Sequence, residues 1–317
     1  MSFDLFAHTN RPDEKLFFRR DEAGDSRLGE IVRWQPDDYI NDYVPGEIIL
    51  LGCPQDEGVR RNGGRVGAAA APDAIRNWLY RLVAPAGVSL FDLGNTLIES
   101  SLEETHTLQQ EIVRQVIADG KTLISLGGGN DLSYPDCAGL AQEYAQLIAF
   151  NVDAHLDVRE NQFVNSGTPY RMLLKEGHIL PENFYEMGYQ PFAVAESHLR
   201  YLRDKGAMTH SLYSLRERGL LNVFRSILEE KSGYRIFWGI DLDSVHLADA
   251  PGVSAPNVLG LTADELCQIT ELAGSKPRTQ LIEFTEVNPT YDIDGRTCRL
   301  TAVAIWHFLN ARTQETA

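Results

Sequence analysis

Short apolar runs alternating with amphipathic stretches constrain the fold of this chain more than any other feature. Ile48-Ile49-Leu50-Leu51-Gly52 is the first run, and others cover 88–93, 122–126, 147–152, 183–187, 210–212, 235–240 and 280–283. Several are apolar at nearly every position, the pattern of a strand buried on both faces. Between them, apolar residues recur at helical spacing over 74–79, 103–118, 137–145, 195–204, 215–229, 263–273 and 300–312. Strands separated by helices predict an α/β fold, a mostly parallel sheet with helices on both faces. Residues 1–45 lack this periodicity and read as an irregular N-terminal extension of one domain spanning 1–317.

Charge and cysteine usage narrow the function classes. The 29 Lys and Arg against 45 Asp and Glu leave a formal net charge of −16. That argues against non-specific nucleic-acid binding and against adhesion to anionic membranes. It leaves room for an anionic substrate, because a few local arginines can dominate a pocket. Cys53, Cys137, Cys267 and Cys298 are far apart and form no CxxC pair. Neither a disulfide scaffold nor a thiolate zinc site is expected. No signal-like amino terminus or long apolar run is seen, so the expected location is cytoplasmic.

Ligands of open parallel sheets bind beyond the carboxyl ends of the strands, and four predicted strand ends carry unusual polar residues. After the run at 147–150 comes Asn151-Val152-Asp153-Ala154-His155-Leu156-Asp157. On an extended backbone, residues two apart share a face, so Asp153, His155 and Asp157 are expected to project together. Asp241-Leu242-Asp243 repeats that spacing after the 235–240 run. Leu126-Gly127-Gly128-Gly129-Asn130-Asp131 offers glycines that let backbone approach a site closely. Glu286-Val287-Asn288-Pro289 follows the last strand. Each stretch alone has an ordinary explanation as a turn, a cap, a salt bridge or a strand end. Together they bring several carboxylates and an imidazole to one sheet edge, an arrangement that calls for one or two divalent cations.

These blocks resemble the ureohydrolase superfamily of arginase, agmatinase and formimidoylglutamase, whose pattern is GG(D/G)H, DAHxD, DxDxxDP and a later E-x-N-P. The counterparts are Gly128-Gly129-Asn130, Asp153 to Asp157, Asp241-Leu242-Asp243 and Glu286 to Pro289. Within the superfamily, Arg60-Arg61-Asn62-Gly63-Gly64-Arg65, Ser166-Gly167-Thr168-Pro169 and Asp249-Ala250-Pro251-Gly252-Val253-Ser254-Ala255-Pro256 resemble the formimidoylglutamase branch most. The resemblance implies a three-layer αβα sandwich with a parallel sheet of about eight strands and a binuclear Mn2+ centre. One metal is expected at the position of Asn130 with Asp153, Asp157 and Asp241. The other is expected at Asp153, His155, Asp241 and Asp243. The implied reaction is hydrolysis of N-formimidoyl-L-glutamate to L-glutamate and formamide by a metal-bound hydroxide. Glu286 would hold the amidinium, and Asp243 or a neighbour would assist proton transfer. Arg60, Arg61, Arg65 and Arg171, with Ser166, are expected near the mouth, where arginine suits a dicarboxylate amidine substrate. Relatives suggest a homo-oligomer, a trimer or hexamer.

Two departures from the pattern bear on the chemistry. Asn130 stands where the pattern has His, so the first metal site is expected to be weak. His246 stands where DxDxxDP has its third Asp. Other readings remain open: an arginase or agmatinase activity, a single-metal site like that of the fold-related histone deacetylases, and a metal-depleted relative that is no longer an enzyme. Arginase is disfavoured because Pro169-Tyr170-Arg171 replaces its His-Gly element, and agmatinase because arginines at the mouth would repel a cationic amine.

Overall fold

In the computed structural model, which describes residues 3–41 and 47–314, nine strands form one sheet. They are β1 (Thr9–Asn10), β2 (Ile48–Gly52), β3 (Leu90–Thr96), β4 (Thr122–Leu126), β5 (Leu147–Val152), β6 (Phe184–Tyr189), β7 (Met208–Ser211), β8 (Arg235–Asp241) and β9 (Thr279–Thr285). Their order is β1-β3-β2-β4-β9-β8-β5-β6-β7. The two-residue β1 pairs antiparallel with β3, and every other pairing is parallel. The N-terminal extension, expected to be irregular, therefore adds a short edge strand and two short helices, Leu28–Ile31 and Pro36–Asn41. Residues 1–2 and 42–45 of it lie outside the described residues.

Alternation along the strands sorts the core into two layers. Ile48, Leu50, Ile124, Leu126, Ile148, Phe150, Ile236 and Trp238 pack into one apolar cluster, with helices Ala71–Leu79, Leu220–Glu230, Ala263–Gly274 and Arg296–Gln314. Ile49, Leu51, Leu123, Leu147, Ala149, Phe237 and Leu281 face the other way, toward helices Leu102–Ala118, Ser133–Glu143 and Pro169–Glu176. The helical pattern at 215–229 proves to be two helices, Leu212–Arg218 and Leu220–Glu230, because Gly219 lies between them at φ +80°. Among the described residues, no helix is long and apolar enough to cross a membrane.

The topology matters most where four strands distant in sequence become neighbours. β4, β9, β8 and β5 lie side by side, all parallel. Their carboxyl ends therefore deliver Asn130, Glu286, Asp241 with Asp243, and Asp153 to Asp157 to one edge. The loop after β4 enters without obstruction because Gly128 has no side chain. A Cβ there would lie 1.5 Å from the carbonyl oxygen of Gln55.

Candidate active site

β5 stops at Val152, and the chain then bends, so Asp153, His155 and Asp157 are not successive residues of one strand face. The expected strand alternation is corrected: curvature brings the three together. Asp157 sits at φ +46°, a left-handed conformation rarely taken by a non-glycine residue. The backbone N–H of His155 donates to Asp153 Oδ1 at 2.7 Å, which fixes the bend. The DxD pair is corrected likewise. Asp241 ends β8, while Asp243 lies in a 3-10 turn, Leu242–Ser244, with its N–H on Asp241 Oδ1 at 2.8 Å.

The result is a compact acid cluster built on two overlapping triads. Asp153, His155 and Asp243 present ligand atoms within 4.8 Å of one another, and so do Asp153, Asp157 and Asp241. Asp153 belongs to both. His155 Nδ1 lies 3.2 Å from Asp243 Oδ2 and 3.4 Å from Asp153 Oδ1. Asp243 Oδ1 is buried with no hydrogen-bond partner among the described residues. A buried acceptor left open beside three other carboxylates fits a cation, and oxygen ligands with one imidazole suit Mn2+.

Electrostatics express the same crowding. Burial, aggravated by Asp153, pushes the Asp157 carboxyl well above the usual carboxylate range. Burial and neighbouring Asp243 do the same to Asp241. Burial raises Asp243 to about 6 although His155 opposes it. Burial alone would raise Asp153 too, but His155 holds it below its ordinary value. Asp243, first, and Asp153 push His155 up to about 12 against burial. Without a metal, the imidazolium is the cation of this cluster.

Asn130 sits against the second triad in a definite orientation. Its Nδ2 donates to Asp157 Oδ2 at 2.7 Å. Its Oδ1 accepts from Thr285 Oγ1 at 2.7 Å and from Ser133 Oγ at 3.0 Å. The amide nitrogen, not the oxygen, thus faces the carboxylates. Asn130 N–H also donates to Glu286 Oε1 at 2.6 Å. Glu286 is held at φ +64°, and burial raises its carboxyl to about 8 despite the hydrogen bond from the Asn130 N–H.

A cavity of about 250 Å³ opens onto the cluster, with His155, Asp157, Asp241, Asp243 and Glu286 on its wall. Ser166 reaches it and accepts from Asn62 Nδ2 at 3.1 Å. The four expected arginines fare differently. Arg65 lines the cavity, although its guanidinium donates to the carbonyls of Pro251 and Val253 and lies over Tyr291. Arg60 is exposed and paired with Glu57. Arg61 bridges Glu57 and Glu103. Arg171 donates to the Val158 carbonyl at 2.6 Å and stacks over Tyr201. Those three do not line the cavity, because each has partners elsewhere. His246 is likewise outside it, paired with Asp249 at 3.1 Å. Arg159 does line the cavity and was missed by sequence reasoning. Its position two residues beyond Asp157 was the available signal.

Comparison with known proteins agrees with this geometry. The model of the arginase family matches residues 46–310. Formimidoylglutamase of Salmonella arizonae is 31% identical over 303 residues, which cover 90% of this chain and 92% of that protein. Among solved structures, formiminoglutamase of Trypanosoma cruzi with Mn2+ superposes with a TM-score of 0.84 at 32% identity, covering 90% of this chain and 98% of that one. Formimidoylglutamase of Bacillus subtilis gives 0.84 at 25% identity, covering 95% and 98%.

Proposed function

The chain belongs to the arginase family, and we propose that it hydrolyses N-formimidoyl-L-glutamate to L-glutamate and formamide with Mn2+. The observation that carries the reading is the pair of triads sharing Asp153 beneath a cavity that also holds Glu286. Relatives named formimidoylglutamase or formiminoglutamase support the substrate. The reading includes a cytoplasmic location and a homo-oligomeric assembly.

Asp153 and Asp241 would be shared between two metals, with Asp157 and the Asn130 position on one side and His155 and Asp243 on the other. Bound there, Mn2+ supplies Lewis acidity and a nucleophilic water at neutral pH. The protein groups do the rest. Glu286, anchored by the Asn130 N–H, binds the amidinium of the substrate, and that cation draws its carboxyl down from about 8 and keeps it ionised. Asp243 or a neighbouring group would pass a proton to the departing glutamate nitrogen.

The test is formamide and glutamate release from formimidoylglutamate with Mn2+ supplied, beside arginine, agmatine and an acetyl-lysine peptide. Turnover of formimidoylglutamate at about 10²-fold or more above each comparator is expected, since sites built for a polar group reject substrates lacking it. Turnover of none would favour the non-enzyme reading.

Asn130 makes the two metal positions unequal. To ligate through oxygen, its amide must turn over and give up the bonds from Ser133 and Thr285. Wild-type protein titrated with Mn2+ should take one ion per chain about tenfold or more tighter than the second, a gap of roughly 1.4 kcal/mol. Asn130→His should narrow the gap. Two equally tight ions in the wild type would sink this idea.

A further inference from the structure

We propose that Arg159 is the residue that selects a substrate with a side-chain carboxylate, by pairing with that carboxylate at the cavity mouth. The inference rests on the amidine-hydrolase reading above and names which part of the substrate the chain recognises. Of the two arginines lining the cavity, Arg65 already donates to two carbonyls. The Arg159 guanidinium, in contrast, has no hydrogen-bond or ion-pair partner among the described residues. Its surroundings hold it ready. Arg159 N–H donates to the Gly167 carbonyl at 2.8 Å. The preceding carbonyl, of Val158, accepts from Arg171 Nε at 2.6 Å. The peptide that leads into Arg159 is therefore held at both its N–H and its carbonyl while the side chain is left open.

Gly167 lets that side chain into the cavity wall. A Cβ at Gly167 would lie 2.6 Å from Arg159 Cδ, 3.0 Å from its Nε and 3.1 Å from Asn62 Nδ2. Arg159 thus crosses a bare stretch of backbone beside Asn62 and Ser166, two polar groups of the same wall. His198 completes the rim, and burial together with the positive charges of Arg159 and Arg171 keeps its imidazole disposed to stay neutral. The mouth therefore has cationic character above a floor of carboxylates. Formimidoylglutamate has the same polarity in reverse: an amidine that seeks acids, and at its far end a carboxylate that seeks a cation. Arg159 is exposed whereas Asp241, Asp243 and Glu286 are buried. The carboxylate distant from the amidine, that of the glutamate side chain, is the one that reaches the rim. A planar guanidinium can bind it through two parallel N–H donors.

The experiment is a substrate-by-variant cycle using Mn2+-loaded wild type, Arg159→Met and Arg159→Lys, with N-formimidoylglutamate and N-formimidoylglutamine. The two substrates differ only in the side-chain carboxylate. In the wild type, kcat/KM should favour the glutamate compound by about 10- to 100-fold, the worth of a hydrogen bond to a charged group. Arg159→Met should shrink the preference to about threefold or less, mainly through KM, with Arg159→Lys between them. Equal losses on both substrates would overturn the proposal, because a structural role makes no distinction between them. Glutarate binding, measured by calorimetry, gives a readout independent of turnover. Arg159→Met should weaken it about tenfold or more, and unchanged binding would overturn the proposal whatever the kinetics. Wild type that turns over neither substrate, yet loses glutarate affinity in Arg159→Met, would refute the reaction and uphold Arg159.

Discussion

Asp241→Asn is expected to lower formimidoylglutamate hydrolysis by about 10³-fold or more, roughly 4 kcal/mol of barrier, while raising the melting temperature of the metal-free protein. The two effects have one cause. Asp241 is 2% exposed and ends β8 among Asp153, Asp157 and Asp243. Burial and these like charges drive its carboxyl far from its ordinary range, so its folded state is strained whenever no cation is present. An amide of the same shape needs neither a proton nor a counter-charge to be buried there. It can still accept the N–H of Asp243 that Asp241 Oδ1 accepts at 2.8 Å, provided its oxygen faces that way. Each kcal/mol recovered moves the melting point of a chain of this size by about 2–4 °C or somewhat less. The same carboxylate is one that both metals would share, and an amide cannot supply its charge. Thermal melts in EDTA and kcat/KM in Mn2+ check the two halves separately. Activity within tenfold of wild type would remove Asp241 from the centre. A lowered melting point in EDTA would show that the acids are not in conflict. Loss of activity with gain of stability is the mark of a site maintained against the interests of the fold.

Much of this site is legible in the sequence, and what is not has identifiable physical reasons. The strand runs announced themselves because strands buried on both faces are apolar at most positions, the pattern of Ile48 to Leu51 and Leu147 to Phe150. Asp153, His155, Asp157, Asp241 and Asp243 were legible as a group, since acids at several strand ends need a counter-charge. Their geometry was not. A period of two placed them on strand faces, whereas the strands stop at Val152 and Asp241, and a bend and a 3-10 turn do the converging. Sequence gives no warning of the positive φ at Asp157 and Glu286, because neither is glycine. The arginines were the hardest. A guanidinium on a long flexible stem goes wherever carboxylates, carbonyls or rings meet it first, and those partners are remote in sequence. Arg61 meets Glu103, Arg171 meets the Val158 carbonyl, and Arg65 meets those of Pro251 and Val253. Arg159 escaped notice because it trails a motif whose acids account for that motif's meaning.

Mn2+ affinity should rise steeply with pH, by about 100-fold per unit between pH 6 and 8, because metal uptake expels about two protons and each contributes tenfold per unit. His155, pushed up to about 12 by Asp243 and Asp153, carries one of them on an imidazole that must become neutral to ligate. The carboxyls raised by burial, Asp243 to about 6 and Asp157 and Asp241 well above their ordinary range, hold the other. The same shifts fix the sign for the metal-free fold. A carboxyl whose folded pKa is raised binds its proton more tightly folded than unfolded. Its stabilising effect is therefore complete below the ordinary carboxylate pKa and fades as pH rises through the folded value. For Asp243 and Glu286 that window runs up to about 6 and about 8. His155 acts in the same direction, since its raised pKa stabilises below the ordinary imidazole value and fades toward about 12. EDTA-treated protein should thus melt higher at pH 5.5 than at pH 8, and saturating Mn2+ should shift the melt more at pH 8. The overall charge of −16 also weakens the fold as pH rises, so Asp241→Asn is the needed control. If the buried cluster is responsible, that variant has a flatter pH profile than wild type in EDTA. Parallel profiles would assign the pH dependence to net charge instead.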